Sequence, residues 1–156
     1  TTLRVSAGIL ESLAAAGFHV KKLIYENMKY ARIEQVNEIK ALLSDVGGLI
    51  SVGTGSLNDI CRVASYDCKK KFCIFATAPS MDGFASDTAP ILENNFKSSF
   101  KAEQPHVILA DTRILAASPA ELKSSGFGDM MAKYIGIVDW KISPLSHMLL
   151  KSSTDT

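Results

Sequence analysis

The chain has 156 residues, a length that predicts one domain with room for the start of a second. A net charge of +1 at pH 7 gives no basic surface of the kind that binds nucleic acid or an anionic membrane. No apolar run reaches the roughly 18 residues of a membrane-spanning helix, and no signal peptide pattern follows Thr1. The sequence therefore predicts no nucleic-acid partner and no insertion into a membrane.

The three cysteines, Cys61, Cys68 and Cys73, are odd in number and lack the paired spacing of a zinc motif. This usage favours reduced thiols and predicts a cytoplasmic protein.

Helical and strand patterns alternate along the first half of the chain. Apolar residues at helical spacing predict helices over 5–17, 33–43 and 57–66, and short apolar runs predict strands over 20–25, 49–52 and 72–77. This alternation predicts an α/β fold, in which helices cover both faces of a parallel sheet. Because such a fold normally begins with a strand, the leading helix predicts that the chain lacks its first strand.

The pattern changes after residue 79. Segments 96–101 and 106–110 are β-like, and the remainder is helical in pattern. We therefore expect the α/β domain to occupy residues 1–118 and the beginning of an all-α domain to occupy residues 119–156.

Two helices are predicted in this last part. Ser118 is a possible cap for a short helix over 120–124 that ends before Gly126. Residues 129–142 are apolar almost all round and predict a buried helix that ends before Pro144.

Residues 49–64, LISVGTGSLNDICRVA, follow the order of a strand, a tight turn and a helix. Gly53 and Gly55 permit backbone conformations closed to other residues, and the amides at the start of the helix suit a pyrophosphate. Asn58 stands where the dinucleotide fingerprint has its third glycine. The pattern alone thus leaves nucleotide binding and an ordinary strand-to-helix turn both open.

A second loop, TAPSMDGFASDTAPI, covers residues 77–91 and follows the next strand. Strand ends in a parallel sheet meet at one rim, so this loop is expected beside the glycine turn. Its hydroxyl groups and its Asp82–Gly83 turn are also compatible with a simple connecting loop.

Together these motifs carry a resemblance. GTGSLND (53–59), TAPSMDGFAS (77–86), GFGDMMAKY (126–134) and DWK (139–141) stand in the order and spacing found in glycerol-1-phosphate dehydrogenases. The chain resembles that family, and with it the group of iron-containing alcohol dehydrogenases, glycerol dehydrogenases and dehydroquinate synthases. The resemblance extends from the opening helix to about Lys141. It implies a Rossmann-like nucleotide-binding domain followed by a helical domain that binds metal and substrate.

The resemblance also implies the roles of individual residues. Asp82 matches an aspartate that contacts the substrate, and Asp129 matches a metal-binding aspartate that also faces the substrate. The residues that match cofactor contacts are Gly55, Ser56, Leu57, Asn58, Asp59, Thr77, Ala78, Pro79, Ser80 and Ser86.

The chemistry implied by the resemblance is hydride transfer between NAD or NADP and C2 of a glycerol phosphate. The family works in the direction of dihydroxyacetone phosphate reduction, in phospholipid biosynthesis, with zinc, or alternatively nickel or iron, as a Lewis acid. Family members complete the metal site with two histidines from the helical domain. His19, His106 and His147 match neither, so we expect them to be structural or solvent-facing and the chain to be truncated at both ends and inactive alone.

The rival interpretations are a glycerol dehydrogenase, a dehydroquinate synthase-like enzyme, and a non-catalytic nucleotide-binding fragment. The substrate expected from the resemblance is a small phosphorylated polyol. An exposed apolar helix around 135–140 would in addition favour a homo-oligomer.

Overall fold

The computed structural model describes residues 2–26 and 28–154, with the backbone alone described over 145–154. Along the chain the elements are α1 (Thr2–Ala15), α2 (Ile33–Leu42), β1 (Gly48–Gly53), α3 (Ser56–Cys68), β2 (Lys71–Ala76), a 3-10 turn (Gly83–Ala85), β3 (Thr88–Glu93), β4 (Phe96–Lys101), β5 (Val107–Ala110), α4 (Thr112–Ala116) and α5 (Ala120–Thr154). Within the described part of the chain, none of the helices combines the length and the apolar character that a bilayer crossing requires.

The central sheet is parallel, with the strand order β1-β2-β5. Gly53 pairs with Ala76, and Ala76 pairs with Ala110, so the three strands end together at one rim. Since α3 connects β1 to β2, the predicted α/β fold with a parallel sheet and flanking helices is confirmed.

One face of the sheet forms the core. Phe72 and Ile74 on β2 are fully buried, whereas Cys73 and Phe75 between them are only partly buried. Ile60 on α3 and Val36 on α2 are buried in the same cluster. Burial of each such side chain contributes about 1.5–3 kcal/mol to folding. By contrast, α1 contacts β1 but buries none of its residues, so the second face of the sheet is covered only in part.

A β-hairpin packs beside this core. β3 and β4 are antiparallel, and Asn94 and Asn95 join them with φ angles of 49° and 66°. Asparagine tolerates this left-handed region better than most residues, which suits a tight hairpin turn. β4 and β5 confirm the two β-like segments predicted here, while β3, with buried Ile91, was not predicted.

The predicted strand over 20–25 is wrong. This segment has no regular secondary structure and pairs with no strand among the described residues, and a β-strand needs such a neighbour for its backbone groups. It is held instead by side chains: Lys21 forms an ion pair with Asp45, and the Tyr25 hydroxyl donates to Glu38 at 2.7 Å.

The two helices predicted beyond residue 119 form a single helix, α5, and that prediction was wrong in three respects. The helix passes through Gly126 and through Pro144, because a single glycine or proline weakens a helix without necessarily ending it. Its apolar residues are exposed, with Trp140 80% and Tyr134 70% accessible, because nothing in the described chain packs on them.

Ser118 does not cap α5, since its hydroxyl donates to the Leu115 carbonyl at 2.7 Å and so closes the end of α4. Helix α4 itself was not predicted. Its cap is Asp111, whose carboxylate accepts from the Arg113 amide at 2.8 Å.

Candidate active site

The turn between β1 and α3 has the shape expected of an anion-binding turn. Gly55 has φ +48° and ψ −123°, a conformation that disfavours any residue with a side chain. A Cβ atom built on Gly55 would meet only the Ser80 hydroxyl, at 4.0 Å, so the turn is open to a ligand on that side. The Leu57 amide donates to the Thr54 carbonyl at 3.2 Å and the Asp59 amide to the Gly55 carbonyl at 3.1 Å, which leaves the Ser56 and Asn58 amides at the start of α3 for a ligand.

Hydroxyl groups join the glycine turn to the second loop. Thr54 Oγ1 lies 2.6 Å from Ser80 Oγ and 3.2 Å from the Ala78 carbonyl oxygen. The Thr77 amide donates to the Gly53 carbonyl at 3.1 Å. The expectation that the two loops share one rim is therefore fulfilled in the structure, with Thr54 and Ser80 at the point of contact.

Helix α5 packs against the same part of the second loop. A Cβ atom on Gly126 would lie 1.9 Å from the Pro79 carbonyl oxygen, so only glycine permits this approach. Three residues further along α5, the Asp129 carboxylate accepts from the Asp82 amide at 2.9 Å. The two aspartates singled out in the sequence, 47 residues apart, thus lie in direct contact.

Lys133 completes this acidic cluster. Its ammonium group lies 2.5 Å from the Asp82 carboxylate, with the Asp82 side chain 20% exposed. The hydrogen bond from Lys133 lowers the pKa of Asp82, and the same bond raises the pKa of Lys133. Asp82 is therefore held as a carboxylate at neutral pH.

The side chains of Asn58 and Leu57 point into the protein. Asn58 is fully buried and accepts from the Ser51 hydroxyl at 2.6 Å, and Leu57 lies against Gly53. Asn58 can therefore offer a ligand only its backbone amide, and the Leu57 amide is already bonded to the Thr54 carbonyl. Ser56 stands at the first position of α3, at the mouth of the turn.

Asp59 lies in the first turn of α3 with its side chain 14% exposed, 3.9 Å from the Arg62 guanidinium. Burial raises the pKa of Asp59 to about 6, and the nearby charges of Arg62 and Lys97 offset that effect only in part. The carboxylate thus faces the protein rather than the open side of the turn.

This pKa predicts a pH dependence of stability. Because the folded chain holds the proton more tightly than the unfolded chain, the free energy of unfolding should fall by on the order of 2–3 kcal/mol as pH rises from about 4 to about 6. Asp59→Asn should remove that contribution, as measured by urea denaturation at several pH values. Asp67 lies on the same helix but is half exposed beside Lys40, so Asp67→Asn is the matched control and should keep the fall in the free energy of unfolding between pH 4 and 6. An unchanged pH profile in Asp59→Asn would count against the buried carboxyl.

Two groups of residues are not brought to this contact. The Ser86 hydroxyl interacts with Thr88 rather than with the glycine turn. His19 and His106 are exposed, as predicted, and the side chain of His147 lies outside the described residues. Among the side chains that the structure describes, no three His, Cys, Asp or Glu groups converge to hold a metal ion.

Three contributors to this rim were missed in the sequence: Thr54, Arg62 and Lys133. Thr54 is the residue between the two glycines. Lys133 stands four residues after Asp129, a spacing that places both on one helix face. The signal for Arg62 was a charge inside the apolar face formed by Ile60, Val63 and their neighbours.

Comparison with known proteins agrees with the motif-based resemblance. Residues 2–119 match the model of the iron-containing alcohol dehydrogenase family. Glycerol-1-phosphate dehydrogenase (NAD(P)+) of Geobacillus stearothermophilus is 39% identical over 121 residues, which are 72% of this chain and 30% of that protein. The enzyme of the same name from Methanobrevibacter smithii is 33% identical over 144 residues, 92% of this chain and 40% of that protein.

The fold has solved counterparts as well. The crystal structure of glycerol dehydrogenase from Schizosaccharomyces pombe superposes with a TM-score of 0.70 and 22% identity, over 81% of this chain and 33% of that chain. The chain therefore spans about a third of the length of the proteins it matches. Since the family model covers well over half of its residues, the chain belongs to the iron-containing alcohol dehydrogenase family.

Proposed function

We propose that this chain is the nucleotide-binding part of an NAD(P)-dependent oxidoreductase. The observation that carries the proposal is the open glycine turn, in which Gly55 leaves room for a phosphate beside the first amides of α3. The names of the two curated relatives, both NAD(P)+-dependent dehydrogenases, support the same cofactor class.

The residues of the rim would divide the work of holding the cofactor. The turn at residues 55–59 would bind the pyrophosphate through the amides of Ser56 and Asn58, with the Ser56 hydroxyl as a further donor. Thr77 to Ser80 would line the nicotinamide half, and Ser86 would add a contact from the end of the loop. Hydride transfer is the chemistry that a bound nicotinamide supplies, and the protein's part is to position it.

Asp82 would orient the substrate. Its carboxylate is held ionised by Lys133 and fixed through its backbone by Asp129, so it can accept a hydrogen bond from a substrate hydroxyl in one direction. The curated relatives are named for glycerol-1-phosphate, and the family resemblance adds dihydroxyacetone phosphate as its partner in the substrate pair with sn-glycerol-1-phosphate. That pair, and a place in phospholipid biosynthesis, are part of this proposal.

The metal is a further part of the proposal. One carboxylate, Asp129, is the only ligand that the resemblance finds in the described residues, and a metal ion needs about four ligands. The donor set described does not itself make a metal site, so we assign Asp129 as one ligand only. Zinc, or nickel or iron, would need histidines of the helical domain that we propose to begin near residue 119.

Asp129→Asn should abolish metal retention in protein purified from the cells that naturally express it, because the carboxamide lacks the negative charge that attracts the metal ion. The measurement is the zinc content of the purified protein after dialysis. Asp139→Asn, ten residues along the same helix and exposed, is the matched control and should retain the metal. Stoichiometric zinc in the Asp129→Asn protein would refute the assignment.

Location and assembly are proposed on separate grounds. All three cysteines are free thiols, which favours a reducing, cytoplasmic compartment. The exposed apolar side chains of α5, among them Ile135 and Trp140, favour assembly into a homo-oligomer.

The proposed function is tested in two steps. NADH binding to the chain, followed by fluorescence and competed by ADP-ribose, tests the nucleotide site directly, and a failure to bind would refute it. Turnover of dihydroxyacetone phosphate, glycerol and the dehydroquinate precursor by the protein from its own cells then tests the substrate. Preference for glycerol or for the dehydroquinate precursor would move the assignment to another branch of the family.

A further inference from the structure

Arg62 is a charged residue in an apolar place. It lies on α3 among Ile60, Cys61 and Val63, and only 1% of it is exposed. Its guanidinium donates to three backbone carbonyls of one short loop. The distances are 2.9 Å from Nη1 to Gly83, 3.1 Å from Nη1 to Ser86 and 3.3 Å from Nη2 to Phe84.

A buried arginine is a costly way to fill space. Removing the charge from water carries a desolvation penalty, and an apolar residue of similar volume often stabilises a core as well or better. The Arg62 Nε finds no hydrogen-bond partner among the described residues, and its nearest carboxylate, on Asp59, is 3.9 Å away. An arginine has the advantage over an apolar residue that its planar guanidinium group holds several carbonyl acceptors in one fixed geometry.

The loop that Arg62 grips connects the two functional parts of the rim. Residues 83–85 lie between Asp82 and Ser86, and α3, which carries Arg62, begins at the glycine turn. Movement of the loop relative to α3 would therefore change the distance between the cofactor contacts and the substrate contact.

We propose that Arg62 is a positioning residue, which sets the place of residues 83–86, and with them Asp82 and Ser86, relative to the glycine turn. The roles of Asp82 and Ser86 in this inference rest on the proposed function. The hydrogen bonds from Arg62 to the loop do not depend on that function.

The test compares Arg62→Met and Arg62→Lys with the parent chain and with Val36→Ala. Val36 is fully buried on α2, so its truncation lowers stability without removing any of the three hydrogen bonds. Amide hydrogen exchange is followed at Ser86 and Thr88, whose amides donate to the Gly83 carbonyl and the Ser86 hydroxyl. The Thr77 amide, bonded to Gly53, reports the sheet, and NADH fluorescence reports the site.

In Arg62→Met, exchange at Ser86 and Thr88 should accelerate about tenfold or more beyond the change at Thr77, the size expected when hydrogen bonds to a charged donor are lost. The dissociation constant for NADH should rise by about the same factor. Arg62→Lys keeps the cation and one carbonyl contact, so it should lie between Met and the parent in both measurements. Val36→Ala should accelerate all three amides together and leave NADH binding unchanged.

Loop exchange in Arg62→Met no faster than in Val36→Ala would overturn the proposal. Faster loop exchange with unchanged NADH binding would overturn the link to the site. If the parent chain fails to bind NADH while the loop still loosens, the grip of Arg62 is supported and the proposed function is refuted.

Discussion

Replacing Gly126 by alanine is expected to lower the free energy of unfolding by about 1–3 kcal/mol, the usual cost of forcing an atom into a filled space. The new Cβ would stand 1.9 Å from the Pro79 carbonyl oxygen and 2.8 Å from its carbon. Both are backbone atoms, so relief requires α5 and the loop to separate. That separation would break the hydrogen bond from the Asp82 amide to Asp129, which urea denaturation and amide exchange at Asp82 would detect together.

Gly128 provides the matched control, two residues along the same helix. A Cβ atom there meets nothing within 4 Å. Gly128→Ala should therefore raise the free energy of unfolding by about 0.5–1 kcal/mol through helix propensity alone. Equal effects of the two substitutions would show that the contact between α5 and the loop is not tight.

Gly55→Val is expected to weaken NADH binding by about two orders of magnitude. Gly55 has φ +48°, a region that a β-branched residue adopts only with strain, and its side chain would occupy the space through which a phosphate approaches α3. The measurement is a fluorescence titration of the chain with NADH.

The control for this variant is Gly47→Val. Gly47 lies just before β1, has no neighbour within 4 Å of an added Cβ atom and does not have a positive φ. The Gly47→Val variant should bind NADH as tightly as the parent chain does. Equal binding by the parent and Gly55→Val would remove the main support for the nucleotide site.

The parallel sheet could be predicted because its signal is local. β1 and β2 are continuous apolar runs, and a strand followed by a helix and another strand leaves few arrangements. The strand predicted over 20–25 failed because pairing depends on a neighbour elsewhere in the fold. β3 escaped notice because Pro90 interrupts its pattern, although the Asn94–Asn95 pair that turns the hairpin was visible in the sequence.

The candidate site was likewise predictable only where its signals are local. The positions of the strand ends predicted that the glycine turn and the loop share one rim, and the family motifs pointed to Asp82 and Asp129. The contact between those two aspartates and the grip of Arg62 on residues 83–86 are matters of tertiary distance, which spacing in a sequence does not reveal. The exposure of α5 was mispredicted for a similar reason. An apolar sequence pattern indicates that a helix face can be buried, but it does not show which part of the protein packs against that face.

The close approach of Gly126 to Pro79 also has a mechanical consequence. Gly126 is the seventh residue of a 35-residue helix, so about 27 Å of α5 separates its contact with the loop from Pro144, where a proline can kink the helix. A tilt of about 5° at this contact would displace the helix at Pro144 by roughly 2 Å, given a rise of about 1.5 Å per residue. The Asp82–Asp129 hydrogen bond and the Asp82–Lys133 ion pair involve residues of α5 that lie one and two turns beyond Gly126. A ligand that competes for the Asp82 carboxylate would therefore act within two turns of the contact about which α5 would tilt.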